Sequence, residues 1–324
     1  MGERVIVTHT DLDGVAAAAI VAGTVGEADR LTFAQPHQLA AVFAKIPNGS
    51  EVYVSDLGIN QPILEKVAKQ VKRIVDSGGT VKWFDHHRWE EEWVRKLREA
   101  GAEIYVDTGT CGAGVVAKYL PANAEWVKEL VSAACSVDLW VFNDWRGNYL
   151  AKYVGYGGTE WKRMAVAKLV GFSGIDEEIE EVVEKVVTRE LEILTAAVAK
   201  AVIVSSEGGL RAVAYFKGKD DHHLTSFIAS LLMNRFDVDV AIICRRGSLS
   251  FRSRRDVDVS RAAKLIGGGG HPRAAGAKLD PPLWRLLLSF LGIRGPLFRW
   301  CVNVALDALE RTACREDLLR EVTG

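Results

Sequence analysis

The sequence predicts an α/β protein with two domains: a three-layer N-terminal domain on a parallel sheet, then a smaller α/β domain on a mixed sheet. Three observations predict it. Short apolar runs alternate with helix-like segments over the first 140 residues or so, the rhythm of a parallel sheet covered by helices on both faces. Those runs, "RVIVT" and "EVYVS" among them, are apolar throughout rather than alternating, which fits strands buried on two sides. Beyond a long charged helical stretch, strands crowd together and glycine turns appear.

The elements follow in order. "RVIVTHT" reads as a strand and "DGVAAAAIVAGTV" as its helix; "RLTFAQ" is a second strand, with a helix over "HQLAAVFAKI". "EVYVSDL" precedes a helix over "QPILEKVAKQVKRIV", "TVKWFDHH" precedes "WEEEWVRKLREAG", and "EIYVDT" leads to helices through "GVVAKYL" and "AEWVKELVSAACSVDLW". Residues 161–201 are helical and charged, with an acidic start at "DEEIEE" that favours a helix N-terminus. The second domain reads as "AVIVSS", "RAVAYFKG", a helix over "HLTSFIASLLMNRF", "VDVAIICRRG", "SLSFRSRR", a helix over "VSRAAKLIG", and the glycine cluster "GGGGHPRAAGAKL". The boundaries this gives are 1–160 for the first domain, 161–201 for a helical linker, 202–280 for the second domain and 281–324 for a helical tail.

Bulk properties narrow the function. The chain has 324 residues and a net charge of -1. A protein that grips long nucleic acid usually carries a basic excess, so short anionic substrates are favoured. Five cysteines are scattered without a CxxC spacing, which predicts reduced thiols and neither a disulfide framework nor a structural zinc site. The start "MGERVIVTHTDLDG" is no signal peptide, and a cytoplasmic location is expected. "LWRLLLSFLGI" is too short to span a bilayer.

Acids and histidines gather where strands end. They are His9, Asp11 and Asp13 in "VTHTDLDG", Asp56 in "YVSDLG", and Asp85, His86 and His87 in "WFDHH"; Asp138 follows in "CSVDLWVFND". The carboxyl ends of parallel strands converge on one crevice. So many carboxylates cannot all ionise together without a cation. Imidazole mixed with carboxylate favours Mn²⁺, Zn²⁺, Fe²⁺ or Co²⁺ over Ca²⁺. The ligands outnumber the needs of one ion, which points to two ions roughly 3.5–4 Å apart with a bridging hydroxide suited to attack on phosphorus. Taken singly, a strand-end Asp is usually a helix cap and a lone His-x-Asp a turn. Their order at successive strand ends favours the metal reading.

These residues resemble a known family, the DHH-family phosphoesterases, named for the Asp-His-His seen here as Asp85-His86-His87. The resemblance includes His9-Thr10-Asp11-Leu12-Asp13-Gly14, Asp56 and Asp138, and "GGGGHPRAAG" at 267–276 is similar to the signature of the DHH-associated C-terminal domain. It covers about residues 4–280. It implies one metal held by His9, Asp11 and Asp56, and a second held by Asp13, Asp56, His86 and Asp138. His87 would contact the scissile phosphate as hydrogen-bond donor or general acid, and Asp85 would orient an imidazole. It implies an active site in the cleft between the domains, with two Mn²⁺ ions and with Mg²⁺ or Co²⁺ as substitutes.

The second domain offers a substrate site. Gly268, Gly269 and Gly270 lack side chains, so backbone N–H groups can approach an anion; His271 adds a donor, and a helix starting at "PRAAG" would point its positive end there. Arg252 and Arg254 alternate on a strand and share a face able to meet a terminal phosphate. Other features read as structural. "DDHH" at 220–223 is expected to cap a helix through Asp220 or Asp221, with His222 and His223 as secondary candidates for the cleft; "TGTCGAG" is a helix start or a tight turn, and Cys111 has no base to make it a nucleophile. Arg255 and Arg261 are expected on the solvated surface and His37 in a structural or surface role. Trp140, Phe142 and Trp145 are expected in the core or an interface.

The function expected is that of an Mn²⁺-dependent phosphodiesterase acting on short oligonucleotides or linear dinucleotides, as the nanoRNase group does. Alternatives are a RecJ-like exonuclease, a cyclic-dinucleotide phosphodiesterase, an exopolyphosphatase, or a silent nucleotide-binding or replication-associated module. A homodimer and a protein partner for the tail are candidate associations. Trp284, Trp300 and the tail's apolar residues fit packing against the body best.

Overall fold

The computed structural model describes residues 2–206, 208–218, 224–254 and 257–323, with the backbone alone for 313–323. It divides into two compact units, Met1–Val186 and Val187–Gly324. Asp220, Asp221, His222, His223 and Arg255, and the side chain of Cys314, lie outside the described residues.

The first unit runs β1 (Arg4–Thr8), α1 (Leu12–Val25), β2 (Arg30–Phe33), α2 (Leu39–Phe43), β3 (Glu51–Ser55), α3 (Gln61–Asp76), β4 (Thr80–Asp85), α4 (Glu91–Glu99), β5 (Glu103–Val106), α5 (Gly112–Tyr119), α6 (Glu125–Asp138), α7 (Trp145–Gly155) and α8 (Thr159–Leu169). α9 (Glu177–Lys200) crosses the boundary between the units. The helix expected over "HQLAAVFAKI" is shorter: Pro36–Gln38 form a 3₁₀ turn, closed by the Gln38 side chain on the Gln35 N–H at 2.8 Å, before α2 begins. The five strands lie in the order β2-β1-β3-β4-β5, all parallel. Chain direction along the sheet reverses at β1, which places a crevice beyond the carboxyl ends of β1 and β3.

Alternate strand residues feed two cores. Ile6, Tyr53 and Phe84 pack under α1, α5 and α6, while Val5, Val7, Val54 and Trp83 pack under the helices of the other face. α1 buries Ala16, Ala17, Ala18 and Ala19 completely; these small side chains let α5 lie close to it. Trp83 is buried with its indole N–H donated to the Leu57 carbonyl at 2.8 Å, so its polar atom is satisfied.

The second unit adds β6 (Val202–Ser205), β7 (Arg211–Phe216), α10 (Thr225–Phe236), β8 (Val240–Arg245), β9 (Ser248–Ser253), α11 (Val259–Leu265), β10 (Gly269–His271), β11 (Ala274–Lys278), α12 (Leu283–Phe290) and α13 (Gly295–Thr323). The order is β10-β11-β9-β8-β7-β6, antiparallel except between β7 and β8. One expectation is overturned here: "PRAAG" does not start a helix. His271 pairs with Ala274 across a two-residue turn, and Ala274–Lys278 pairs along β9. Ala275 and Ala277 are buried and their neighbours are not, so the strand alternation wins over helix propensity.

The tail divides. α13 belongs to the core: Cys301, Ala305, Ala308 and Leu309 are buried against the sheet face that carries Ile242 and Phe251, and Trp300 packs on its margin. α12 instead leaves Leu283, Trp284, Leu287 and Phe290 exposed. A second correction concerns the thiols. Cys111 and Cys135 form a disulfide, with Cα atoms 5.2 Å apart; spacing along the chain carries no information on a pair joined through the fold. Cys244 and Cys301 are free and buried. Among the described residues no helix is long and apolar enough to cross a membrane.

Candidate metal centre

The carboxyl ends of β1, β3 and β4 deliver one cluster. Past β1, Asp11 caps α1 by accepting the Gly14 N–H at 3.1 Å, and Asp13 is buried in the first turn. Thr8 Oγ1 donates to the Gly14 carbonyl at 2.6 Å and accepts from Ser55 Oγ at 2.9 Å, which ties this turn to β3. Gly14 is needed there, because a Cβ would lie 2.6 Å from the His9 carbonyl oxygen.

Asp56 follows β3 in a left-handed conformation, φ 52°, a backbone state that Asp tolerates better than most residues and that clusters at functional sites. Its N–H donates to the Phe84 carbonyl at 3.0 Å. The side chain is buried, and Oδ2 has no hydrogen-bond partner among the described residues.

Short distances link residues far apart in sequence. His9 Nδ1 lies 2.8 Å from Asp11 Oδ2 and 3.7 Å from Asp56 Oδ2. His86 Nε2 lies 3.4 Å from Asp56 Oδ1, 3.6 Å from Asp138 Oδ2 and 3.8 Å from Asp13 Oδ2. Donors each about 2.0–2.2 Å from one ion stand roughly 3–3.6 Å from one another, so this spacing and donor chemistry fit divalent cations. Two sets emerge, His9–Asp11–Asp56 and Asp13–His86–Asp138, and Asp56 also meets His86 and His87.

Electrostatics agree with that fit. Burial, with the Asp138 charge behind it, pushes Asp13 up to about 7. Burial, then the charges of Asp13 and Asp11, pushes Asp56 up to about 12. Burial also raises Asp138. Burial acts upward on Asp11 too, but its hydrogen bond to His9 holds it below the ordinary carboxylate range. The metal-free fold therefore holds protons that the unfolded chain gives up near pH 4. Bound protons favour the folded state, so the metal-free protein loses stability as pH rises from about 4, through about 7 for Asp13 and on toward about 12 for Asp56. Cations displace those protons. The stabilisation by Mn²⁺, read as a melting-temperature shift, should accordingly be several degrees larger at pH 8 than at pH 5; equal shifts at both values would contradict the proton-for-metal exchange.

The surroundings contain residues that the sequence reading missed. Gln35 Oε1 lies 3.2 Å from His9 Nε2, on the far side of that ring, and Gln35 Nε2 donates to Thr10 Oγ1 at 3.1 Å. Asp85 is fully buried, 2.9 Å from His87 Nδ1, and accepts the Trp89 indole N–H at 2.6 Å. That Asp85 contact is the largest cause of the raised His87 pKa. The first N–H groups of α5, those of Gly112 and Ala113, donate to Asp13 at 2.6 and 2.8 Å. "TGTCGAG" is thus a helix start whose N–H groups clamp a carboxylate; its glycines hinted at a close approach without saying to what. Asp11, Asp13 and Asp138 line a cavity of about 230 Å³ with Val154 and Gly155. A larger one of about 680 Å³ beside β2 shares no residue with the cluster.

The second unit's candidates are placed differently from the sequence reading. Arg252 lies on β9 and donates to Ser226 Oγ at 3.1 Å and to the Phe251 carbonyl at 2.8 Å. Arg254 falls one residue past the strand, with its guanidinium on Asp237 at 2.6 Å and Asp239 at 3.0 Å; the two arginines do not form the paired strand face expected. Gly268 and Gly270 serve strand pairing, since a Cβ on either would lie within 2.1–2.5 Å of a β11 carbonyl oxygen. Gly269 is open, and His271 is exposed on β10.

Comparisons with known proteins fit this picture. The DHHA1 domain model matches residues 209–291. No curated protein matches the chain by sequence. Among solved structures, the chain is similar to the DHH domain of a member of the s1p family of ribosomal proteins (TM-score 0.54, 15% identity, 96% of this chain and 87% of that one). It is similar to the pGpG-specific phosphodiesterase PggH from Vibrio cholerae (0.52, 15%, 90% and 100%). It is also similar to RecJ from Thermus thermophilus in complex with Mn²⁺ (0.50, 16%, 96% and 52%), spanning about half of that protein. At these identities the likeness is one of fold. The second unit thus carries a DHHA1 domain over residues 209–291, the first carries Asp85, His86 and His87 at the end of β4, and the chain shares its fold with these solved structures.

Proposed function

We propose that the protein is an Mn²⁺-dependent phosphodiesterase that hydrolyses short oligonucleotides or linear dinucleotides to mononucleotides. The observation that carries this reading is Asp56, buried between two carboxylate–imidazole sets with an oxygen that has no hydrogen-bond partner among the described residues. His9, Asp11 and Asp56 would hold one ion, and Asp13, Asp56, His86 and Asp138 the other. When bound, such ions stabilise charge on phosphoryl oxygens and lower the pKa of water.

The protein's own groups do the positioning. Trp89 fixes Asp85, and Asp85 accepts from His87 Nδ1, which leaves Nε2 for the substrate. The raised His87 pKa favours its charged form, so Nε2 donates to a phosphoryl oxygen or to the leaving alkoxide. The α5 N-terminus holds Asp13 in place. In the second unit, Arg252, Gly269 and His271 remain candidates for a terminal phosphate.

Short substrates are favoured by the net charge of -1 and by the end-to-end likeness to PggH, a pGpG-specific phosphodiesterase; pGpG is by its formula a dinucleotide. The likeness to RecJ favours a second reading, a single-strand exonuclease. A substrate panel separates them: linear diadenylate, short RNA and DNA oligomers, a long single strand, a cyclic dinucleotide, pyrophosphate and polyphosphate, each with Mn²⁺. The highest kcat/KM is expected on the shortest linear oligomers. Preference for the long strand would select the exonuclease reading, and preference for polyphosphate would remove the protein from nucleic-acid chemistry.

A further inference from the structure

Asp138 closes α6, and the segment after it carries Trp140, Phe142, Trp145 and Tyr149. The sequence predicts such rings in a core or interface. The structure turns them into solvent: Trp140 is 78% exposed, Trp145 61% and Phe142 45%. Trp140 and Phe142 both take left-handed backbone conformations, φ 60° and 53°, which costs bulky residues of order 1–3 kcal/mol each. A segment that merely linked two helices would put glycine or asparagine there.

The loop is hydrogen-bonded at both ends despite its exposure. The Trp140 N–H donates to the Val137 carbonyl at 3.1 Å, and the Phe142 N–H to the Ser136 carbonyl at 2.8 Å. Ser136 Oγ accepts the Asp144 N–H at 2.9 Å. Asp144 is held further by Ser132 at 2.8 Å and by the Arg146 guanidinium at 2.7 and 2.9 Å. Both ends of the loop are therefore fastened to the last turns of α6. The two rings meet edge to face, centroids 4.7 Å apart, so each keeps a face open. The Cα of Trp140 can lie no more than about 7 Å from that of Asp138.

We infer that Trp140 and Phe142 form a stacking platform for a nucleobase of the substrate whose phosphate sits at the Asp138 end of the metal centre. A fastened, exposed, edge-paired aromatic surface beside a phosphoester site suits the flat face of a base, which every base has and which needs no hydrogen-bond readout. A second copy of this chain is the other occupant such a surface suits, and the test separates the two. The inference rests on the phosphodiesterase reading and adds the base to what the site recognises.

The test compares linear diadenylate with the same diester lacking its bases, both cleaved with Mn²⁺ by wild type, Trp140→Ala and Trp140→Phe. Wild type should show the lower KM on diadenylate. Trp140→Ala should raise that KM roughly tenfold, so that the KM ratio of the two diesters collapses toward one, and Trp140→Phe should keep most of the ratio. An unchanged ratio in the alanine variant overturns the inference, as does a variant that changes only its sedimentation from dimer to monomer. If wild type cleaves neither diester, the phosphodiesterase reading fails. Calorimetric binding of adenosine monophosphate against ribose 5-phosphate then decides the platform: weakening of the nucleotide alone in Trp140→Ala supports it, and equal behaviour overturns it.

Discussion

Replacing Asp56 by asparagine should lower Mn²⁺-dependent hydrolysis by roughly three orders of magnitude and weaken both ion sites together. The reason is geometric. Asp56 Oδ2 faces the His9 set and Oδ1 faces His86, so one carboxylate lies within reach of both sets. Asparagine preserves the shape and tolerates the left-handed backbone at φ 52°. The metal-free carboxyl, pushed up to about 12, is neutral at pH 7, so asparagine is nearly isosteric with what it replaces. The metal-free melting temperature should therefore change by only a degree or two, while the rise produced by Mn²⁺ in wild type disappears. Scanning calorimetry beside a turnover assay checks both halves. A variant that keeps two ion sites would refute the shared-ligand arrangement.

Gly112→Ala should damage the same centre from outside it. A methyl group there would lie 2.8 Å from Asp56 Cβ, 2.9 Å from Asp13 Oδ2 and 3.2 Å from Asp56 Cα. None of these is the free end of a flexible side chain, since Asp13 is clamped by two N–H groups and Asp56 is buried. Displacing catalytic groups by about 1 Å costs on the order of a hundredfold in rate, and that loss in kcat/KM is expected with the fold intact. Gly158→Ala is the control, because a Cβ at Gly158 meets nothing within 4 Å; it should stay within about threefold of wild type, as surface changes generally do.

What was legible in the sequence follows from what periodicity and strand ends can encode. The parallel sheet was readable because its strands are apolar on both faces. Once the strands were placed, His9, Asp11, Asp13, Asp56 and Asp85 to His87 had to share one end of the sheet, where the structure brings them together with Asp138. Other features depended on contacts that a linear pattern does not carry. "PRAAG" looks helical by composition, and only its pairing with β9 makes it a strand. Cys111 and Cys135 meet because α5 and α6 pack together. Trp140 and Phe142 read as core or interface because they are apolar, and two left-handed residues turn them outward, away from the core. Gln35 carried no signal at all, since its place beside His9 comes from the parallel pairing of β1 with β2.

These strand-end residues are proposed to form a metal-dependent phosphodiesterase centre. The most direct test is release of adenosine monophosphate from linear diadenylate by metal-stripped protein as Mn²⁺ is titrated in. Without metal no release is expected; with Mn²⁺ the release should rise and saturate near about two ions per chain, and Asp56→Asn should release none at the same concentrations. Release that is equal with and without Mn²⁺, or that survives undiminished in Asp56→Asn, would contradict the proposal.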